Sequence, residues 1–276
     1  MTDLSKFTTK GTLFDFLQTN KKLLISEKKS VVKHADAVNG FLGLCKDEKI
    51  YSSKAFKDVQ EMPELEVIQA KLAINATNIL DSHGDVHING LWNKSIQETK
   101  YILHIQEHEM KFDNIISDEV IATAEKISWK KLGQPYSGNT EVLVFLSTIR
   151  EDRNEDMFER YIKGYVKQHS VGMRYVTLFL CINSDEQRYS EEKKSWDKYF
   201  PMVVNSEDAL EKGYFWAVTE ANFVEGSAVV LGSNRATPTL EITEVQPSDD
   251  TVNSNKIDNS RQLDTVRQAL KELLNN

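Results

Sequence analysis

The segment QHSVGM, residues 168–173, places Ser170 between His169 and a Val-Gly pair, at the head of an apolar run from Val171 to Ile182. The run is rich in strand formers, and a glycine two residues from the serine lets another backbone or a substrate come close. A hydroxyl works as a nucleophile when a base takes its proton and a third group orients that base. Two other segments hold those residue types. YILHIQEHEM (101–110) carries His104 and His108, and FVEGSAVV (223–230) carries Glu225. An imidazole, with an unperturbed pKa of about 6.5, suits proton transfer near neutral pH. On a strand, residues 104 and 108 point to the same side because their separation is even, so periodicity does not choose between them. Glu225 is the candidate for holding the imidazole's other N–H, with His169 and Asp85 next in line. Oxyanion support commonly comes from backbone N–H groups in glycine-containing turns. Gly172 and Arg174 lie closest to Ser170 for that task.

The same residues offer a second chemistry. His104-Ile105-Gln106-Glu107-His108 fits the H-x-x-E-H pattern of inverted zinc peptidases, and His83 and His87 repeat the spacing. A zinc site of this kind needs residues 104–108 on a helix, so that i and i+4 share a face. The flanks are β-branched and aromatic and carry no cap, which favours a strand. His83 and His87 straddle Gly84 in what reads as a loop. The expectation is therefore no metal and no cofactor, with a metallopeptidase using His104, Glu107 and His108 as a less favoured alternative.

These side chains need strands to hold them. ELEVIQAKLAIN (64–75) alternates in the manner of a strand, and VIATAEKISW (120–129) and EVLVFLSTI (141–149) are two more strand candidates. A strand starting at Ser170 follows, and a last strand pair is expected over 214–231. Met157, Phe158, Tyr161, Ile162, Tyr165 and Val166 recur at helical spacing, so 154–166 reads as a helix with one buried face. LFDFLQ (13–18) and SVVKHADAVNGFLGL (30–44) read as amphipathic helices of an N-terminal arm. Residues 185–199 are a charged, solvated excursion, with Trp196 and Tyr199 as core residues or a substrate-contacting lip. QPSDDTVNSNKIDNS (246–260) is a low-hydrophobicity linker, followed by a short helix with Leu263, Val266, Leu270, Leu273 and Leu274 on one stripe.

The 276 residues suffice for one sizeable domain with appendages. Forty per cent apolar content supports a buried core. A net charge of -8 argues against a nucleic-acid surface, which usually needs a basic patch. Cys45 and Cys181 lie far apart in apolar contexts and read as reduced core thiols of a cytoplasmic protein. The N-terminus lacks the basic and apolar regions of a signal peptide. No apolar run approaches the roughly 20 residues of a membrane span.

Taken in order, NILDSHGDVHINGLW (78–92), YILHIQEHEMKFDNIIS (101–117), MFERYIKGYVKQHSVGM (157–173) and FVEGSAVVLGSN (223–234) resemble the tailed-phage prohead serine proteases. These are capsid-maturation proteases related in fold to herpesvirus assemblins. The resemblance spans roughly residues 64 to 245. It implies a mostly β fold with flanking helices (α+β), built as a closed or nearly closed herpesvirus-protease-like barrel over 63–245. Outside the resemblance, the residues themselves read as a helical arm over 1–62 and a flexible linker and short helix over 246–276. The resemblance further implies a serine endopeptidase with Ser170 as nucleophile, His108 rather than His104 as base, and Glu225 as orienter. The implied substrates are the phage scaffold protein or the scaffold segment of the major capsid protein, cleaved inside the prohead in the host cytoplasm. Self-cleavage in the linker belongs to the same expectation, with no nucleic acid or membrane as partner and a homo-oligomer left open. Three positions depart from the family's pattern: Met173, Gly226 and the Gly232-Ser233-Asn234 turn. The alternative from another class is a catalytically silent capsid-assembly or scaffold-binding protein.

Overall fold

The computed structural model describes residues 7–30 and 66–244. The chain divides into two compact units, Met1–Thr243 and Glu244–Asn276, and almost everything described belongs to the first. Residues 1–6, 31–65 and 245–276 lie outside the described residues. With them lie the 30–44 helix, Cys45, the linker and the terminal leucine stripe.

Among the described residues two helices come first, α1 (Lys10–Thr19) and α2 (Lys21–Ser30). The Thr9 hydroxyl caps α1 by accepting from the Thr12 amide, which satisfies one of the free amides of the first turn. Phe14 and Leu17 of α1 are buried in the main core. Lys28 of α2 reaches Asp85 at 2.5 Å. These helices are therefore packed against the β body.

Among the described residues nine strands follow in two sheets. The first has the order β5 (Glu119–Ser128), β6 (Asn139–Arg150), β1 (Val67–Ala76), β9 (Thr239–Glu244). The second is built on a central strand, β8 (Tyr214–Val229). The strand β7 (Gln168–Ile182) runs antiparallel along β8 over nearly its whole length. The opposite edge of β8 takes two short parallel strands, β2 (Asp85–His87) near its start and β3 (His104–Gln106) near its end. The short β4 (Ile115–Ser117) pairs with β3. The sheets meet at corners: the His169 amide donates to Thr237, the Ala73 amide to Pro238, and the Ser117 hydroxyl to Thr148. They do not close into a barrel, so the expected closed barrel is corrected to two sheets in a mixed α/β fold with more strand than helix.

The main core lies between the sheets. Ile68, Leu72, Ile74 and Phe145 of the first sheet face Val171, Trp216 and Phe223 of the second. The strand pair expected over 214–231 is a single strand. Ala221 is buried in this core, so the polar stretch Thr219–Asn222 does not turn out of the sheet. Register shifts on β7 between Gly172 and Met173, and again between Tyr175 and Leu178, absorb the irregularity.

The helix α4 (Glu155–Ile162) is capped by Asn154, whose side chain accepts from the Met157 amide. It buries Met157, Phe158 and Tyr161. It stops short of the expected residue 166 because Gly164 turns the chain at φ 68°. The charged stretch 185–199 holds α5 (Ser190–Tyr199). It is less solvated than its composition implies: Glu192, Trp196 and Tyr199 are buried. Trp196 and Tyr199 pack with Val86, Cys181 and Phe215, which makes them core rather than a substrate lip. The remaining helices, α3 (Asn93–Glu98) and α6 (Ser206–Lys212), flank β8. None of the described helices is long and apolar enough to cross a membrane.

Candidate active site

The centre of the site is the β7–β8 pairing. Ser170 lies opposite Ser227, and Gly172 opposite Glu225. Directly opposed residues of an antiparallel pair share a face, so Ser170, Gly172, Glu225 and Ser227 occupy one side of the sheet. Gly226 and Ala228 turn the other way: a Cβ on Gly226 would lie 2.5 Å from the Phe145 ring. That contact explains why glycine stands there. Met173, another of the departures, is buried in the same core.

His108 reaches this face by a sharp turn. β3 ends at Gln106, and Glu107 and His108 both adopt left-handed backbone, with φ of 53° and 59°. The Glu107 amide is held by the Ala228 carbonyl at 3.0 Å. The turn separates the two histidines that strand periodicity put on one side. His108 Nδ1 donates to Glu225 Oε1 at 2.7 Å, with both side chains almost wholly buried. The His108 amide donates to Ser227 Oγ at 3.1 Å, and the Ser227 hydroxyl donates to Glu225 Oε2 at 2.7 Å. With Nδ1 carrying the shared proton, the base position of the ring is Nε2. Gly172 makes room for the carboxylate: a Cβ there would sit 2.0 Å from Glu225 Oε1.

His104 stays inside the sheet with both nitrogens engaged. Ser147 Oγ lies 3.0 Å from Nδ1, and Tyr161 Oη 2.9 Å from Nε2. Tyr161 Oη also bonds His169 Nε2 at 2.9 Å, and His169 Nδ1 faces the Thr237 carbonyl at 3.2 Å. The directions follow in one sense: His169 donates to Thr237, Tyr161 to His169, His104 to Tyr161, and Ser147 to His104. Burial, with a smaller contribution from repulsion between the two rings when His169 is also protonated, holds His104 well below the ordinary histidine range. Burial, partly offset by the bond to Thr237, lowers His169 to about 4. Both are therefore neutral structural groups at pH 7. The H-x-x-E-H reading fails on the same geometry. His104 is tied into the sheet, Glu107 is exposed, and His108 lies beyond a left-handed turn, so the three do not share a helix face. His87 is likewise engaged, by Asn75 and Tyr175, and burial lowers it to about 4.

Ser170 is 7% exposed. Among the described residues its hydroxyl makes no hydrogen bond. It lines a narrow cavity with Asn75, Asp81, His83, Tyr175 and Asn234. The Asn75 Oδ1 atom is buried there without a partner among the described residues. Asp81, Ser233 and Asn234 also line a cleft of about 670 Å³ whose walls include Tyr136, Asp208 and Arg235. Asp81 is raised to about 7 by burial and by the neighbouring Asp85. Asp85 is pushed up by its burial, but Lys28 and the Tyr175 hydroxyl outweigh that and hold it low. Asp85 and His169 are thus committed to other networks, which leaves Glu225 as the group on the imidazole. Arg174 is exposed beyond the register shift, and Gly172 is where the carboxylate enters.

The sequence reading missed Ser227, although its signal was present as Glu-x-Ser, a spacing that puts both side chains on one face of a strand. It also missed Tyr161, Ser147 and Asn75, which have no motif of their own. No family model, no curated protein and no solved structure matches this chain.

Proposed function

We propose that the chain is a serine endopeptidase with Ser170 as nucleophile, His108 as general base and Glu225 as its orienting carboxylate. One observation carries the reading: the buried 2.7 Å bond between His108 Nδ1 and Glu225, on the sheet face and beside the register position of Ser170. A carboxylate in that place fixes the ring tautomer and stabilises the imidazolium formed when Nε2 takes a proton. Ser170 shares the sheet face of Glu225 by register, its small side chain has alternative rotamers, and catalytic bonds are often loose before substrate binds.

In the reaction, Ser170 Oγ attacks the scissile carbonyl carbon and His108 Nε2 takes the hydroxyl proton. The tetrahedral adduct collapses, the C–N bond breaks, and the imidazolium gives its proton to the leaving amine. Water, deprotonated by the same ring, then attacks the acyl-enzyme and frees Ser170. The 670 Å³ cleft is within the range of ligand sites and adjoins the Ser170 cavity, which suits an extended segment of a protein substrate.

The finer reading rests on the resemblance to prohead proteases. It names the phage scaffold protein, or the scaffold segment of the major capsid protein, as substrate within the immature capsid, on a herpesvirus-protease-like framework. The test is co-expression with capsid and scaffold proteins, together with labelling by a fluorophosphonate, which transfers its phosphorus to an active serine with loss of fluoride. Ser170→Ala should abolish processing and labelling. His108→Ala should match it, and His104→Ala should retain more. Processing by the Ser170→Ala variant would refute the nucleophile. Activity stopped by a chelator and restored by zinc would refute the reaction class.

A further inference from the structure

We infer that Ser227 is a positioning residue of this site, the part that locks the base and its carboxylate into one geometry; the inference rests on the serine-hydrolase reading above. Three hydrogen bonds close a ring. The His108 amide donates to Ser227 Oγ, the Ser227 hydroxyl donates to Glu225 Oε2, and His108 Nδ1 donates to Glu225 Oε1. Both oxygens of the carboxylate are thereby occupied, and His108 is gripped by its main chain and by its ring.

The ring solves a local problem. Two consecutive residues other than glycine sit in the left-handed region at Glu107 and His108, each at a cost of roughly 1–2 kcal/mol. Such backbone persists only where the surroundings over-determine it. Here the restraints on the two amides are the Ala228 carbonyl on Glu107 and the Ser227 hydroxyl on His108. A Glu side chain has several rotamers of similar energy. The Ser227 donor on Oε2 selects one that aims Oε1 at the imidazole, while Gly172 leaves the space it fills.

Ser227 is fully buried, and its one proton is spent on the carboxylate. Those features distinguish it from a nucleophile and fit a support. Its hydroxyl also draws on the negative charge that the imidazolium needs. Removing it leaves more of that charge for the ring while loosening the ring's position. The two consequences are separable: a lower rate, and an acid limb of the pH–rate profile displaced to higher pH. A residue that only filled space would produce neither when replaced by one of equal volume.

The experiment compares wild type, Ser227→Ala, which is close to serine in volume, and Ser227→Cys, whose larger thiol is a poor donor. It measures the second-order rate of fluorophosphonate labelling against pH, the thermal midpoint, and the proton resonance of the His108 ring N–H. Both variants should label roughly 10–100-fold more slowly, the range carried by one hydrogen bond to a charged group. Their acid limb should move up in pH, and the His108 resonance should shift or broaden while the fold persists. The Cys variant keeps the test decisive if the Ala variant unfolds. Unchanged rate, profile and resonance in a folded variant would overturn the inference. So would a fluorophosphonate adduct on Ser227 itself. Ser170→Ala separates the two proposals: labelling that survives it defeats the nucleophile assignment, whereas the His108 resonance judges the positioning role without any turnover.

Discussion

Adding one methyl group at Gly172 should disable the site without changing any of its polar residues. A Cβ at this position would lie 2.0 Å from Glu225 Oε1, 2.8 Å from Cδ and 3.2 Å from Cγ. Non-bonded heavy atoms settle near 3.5 Å, so the carboxylate must retreat by roughly 1 Å or more. The His108 bond is 2.7 Å. A displacement of that size away from the strand carries it to about 3.7 Å or beyond, outside hydrogen-bond range. The imidazole then loses its orienter, a loss of the kind that costs up to about 10⁴-fold in a serine protease. Gly172→Ala should accordingly label with fluorophosphonate on the order of 10²–10⁴-fold more slowly, which is about 3–5.5 kcal/mol of transition-state stabilisation. Overpacking of this kind costs about 1–3 kcal/mol of stability, so the protein should remain folded at 25 °C. The sharper check is a double-mutant cycle with Glu225→Ala. Once the carboxylate is gone the new methyl has nothing to displace, so the double variant should be no slower than Glu225→Ala alone. Wild-type labelling by a folded Gly172→Ala variant, or additive losses in the cycle, would refute the geometry.

Three further outcomes follow from the same contacts. Glu225→Gln sets an amide NH₂ against one of two donors, the His108 ring N–H or the Ser227 hydroxyl, so the labelling rate should fall at least 100-fold (roughly 3 kcal/mol) with little change in thermal midpoint; a wild-type rate would remove Glu225 from the mechanism, and a lost midpoint would make it structural. Acid should destabilise the fold between about pH 6.5 and pH 4: His87 and His169 are lowered to about 4 and His104 also lies low, so the unfolded chain binds protons that the native state refuses, at roughly 3 kcal/mol for each of the first two. Asp81, raised to about 7, opposes this by taking up a proton in the fold as the pH drops. Denaturant midpoints at pH 7 and pH 5 should show the net loss, and His169→Gln should flatten it; a flat profile in the wild type would contradict the buried-histidine network. Gly226→Ala drives a Cβ to 2.5 Å from the Phe145 ring, so it should cost about 1–3 kcal/mol, read as a lower thermal midpoint and relieved by Phe145→Leu; an unchanged midpoint would mean that the strand has room to move.

Local chemistry made part of this protein legible from residues alone. β1 was readable from its strand-like alternation, and β5 and β6 from short runs rich in strand formers. The α4 helix was readable because Met157, Phe158 and Tyr161 fall at helical spacing and bury together. The ingredients Ser170, His108 and Glu225 were visible as residue types, and the resemblance put them in order. Which histidine meets Glu225 was a tertiary decision. An even separation on a strand makes residues 104 and 108 equivalent, and what separates them is a left-handed turn at Glu107 and His108, enforced by contacts to Ala228 and Ser227 about 120 residues away in the chain. The same holds for the single long β8, where burial of Ala221 overrode a polar stretch that reads as a turn, and for the two open sheets in place of a barrel. The glycines show the division most plainly. Gly172 and Gly226 are flexible residues in sequence, but in the folded chain each marks a volume already filled, by the Glu225 carboxylate and the Phe145 ring. Periodicity reports which way a side chain points; only the packed structure determines what it meets there.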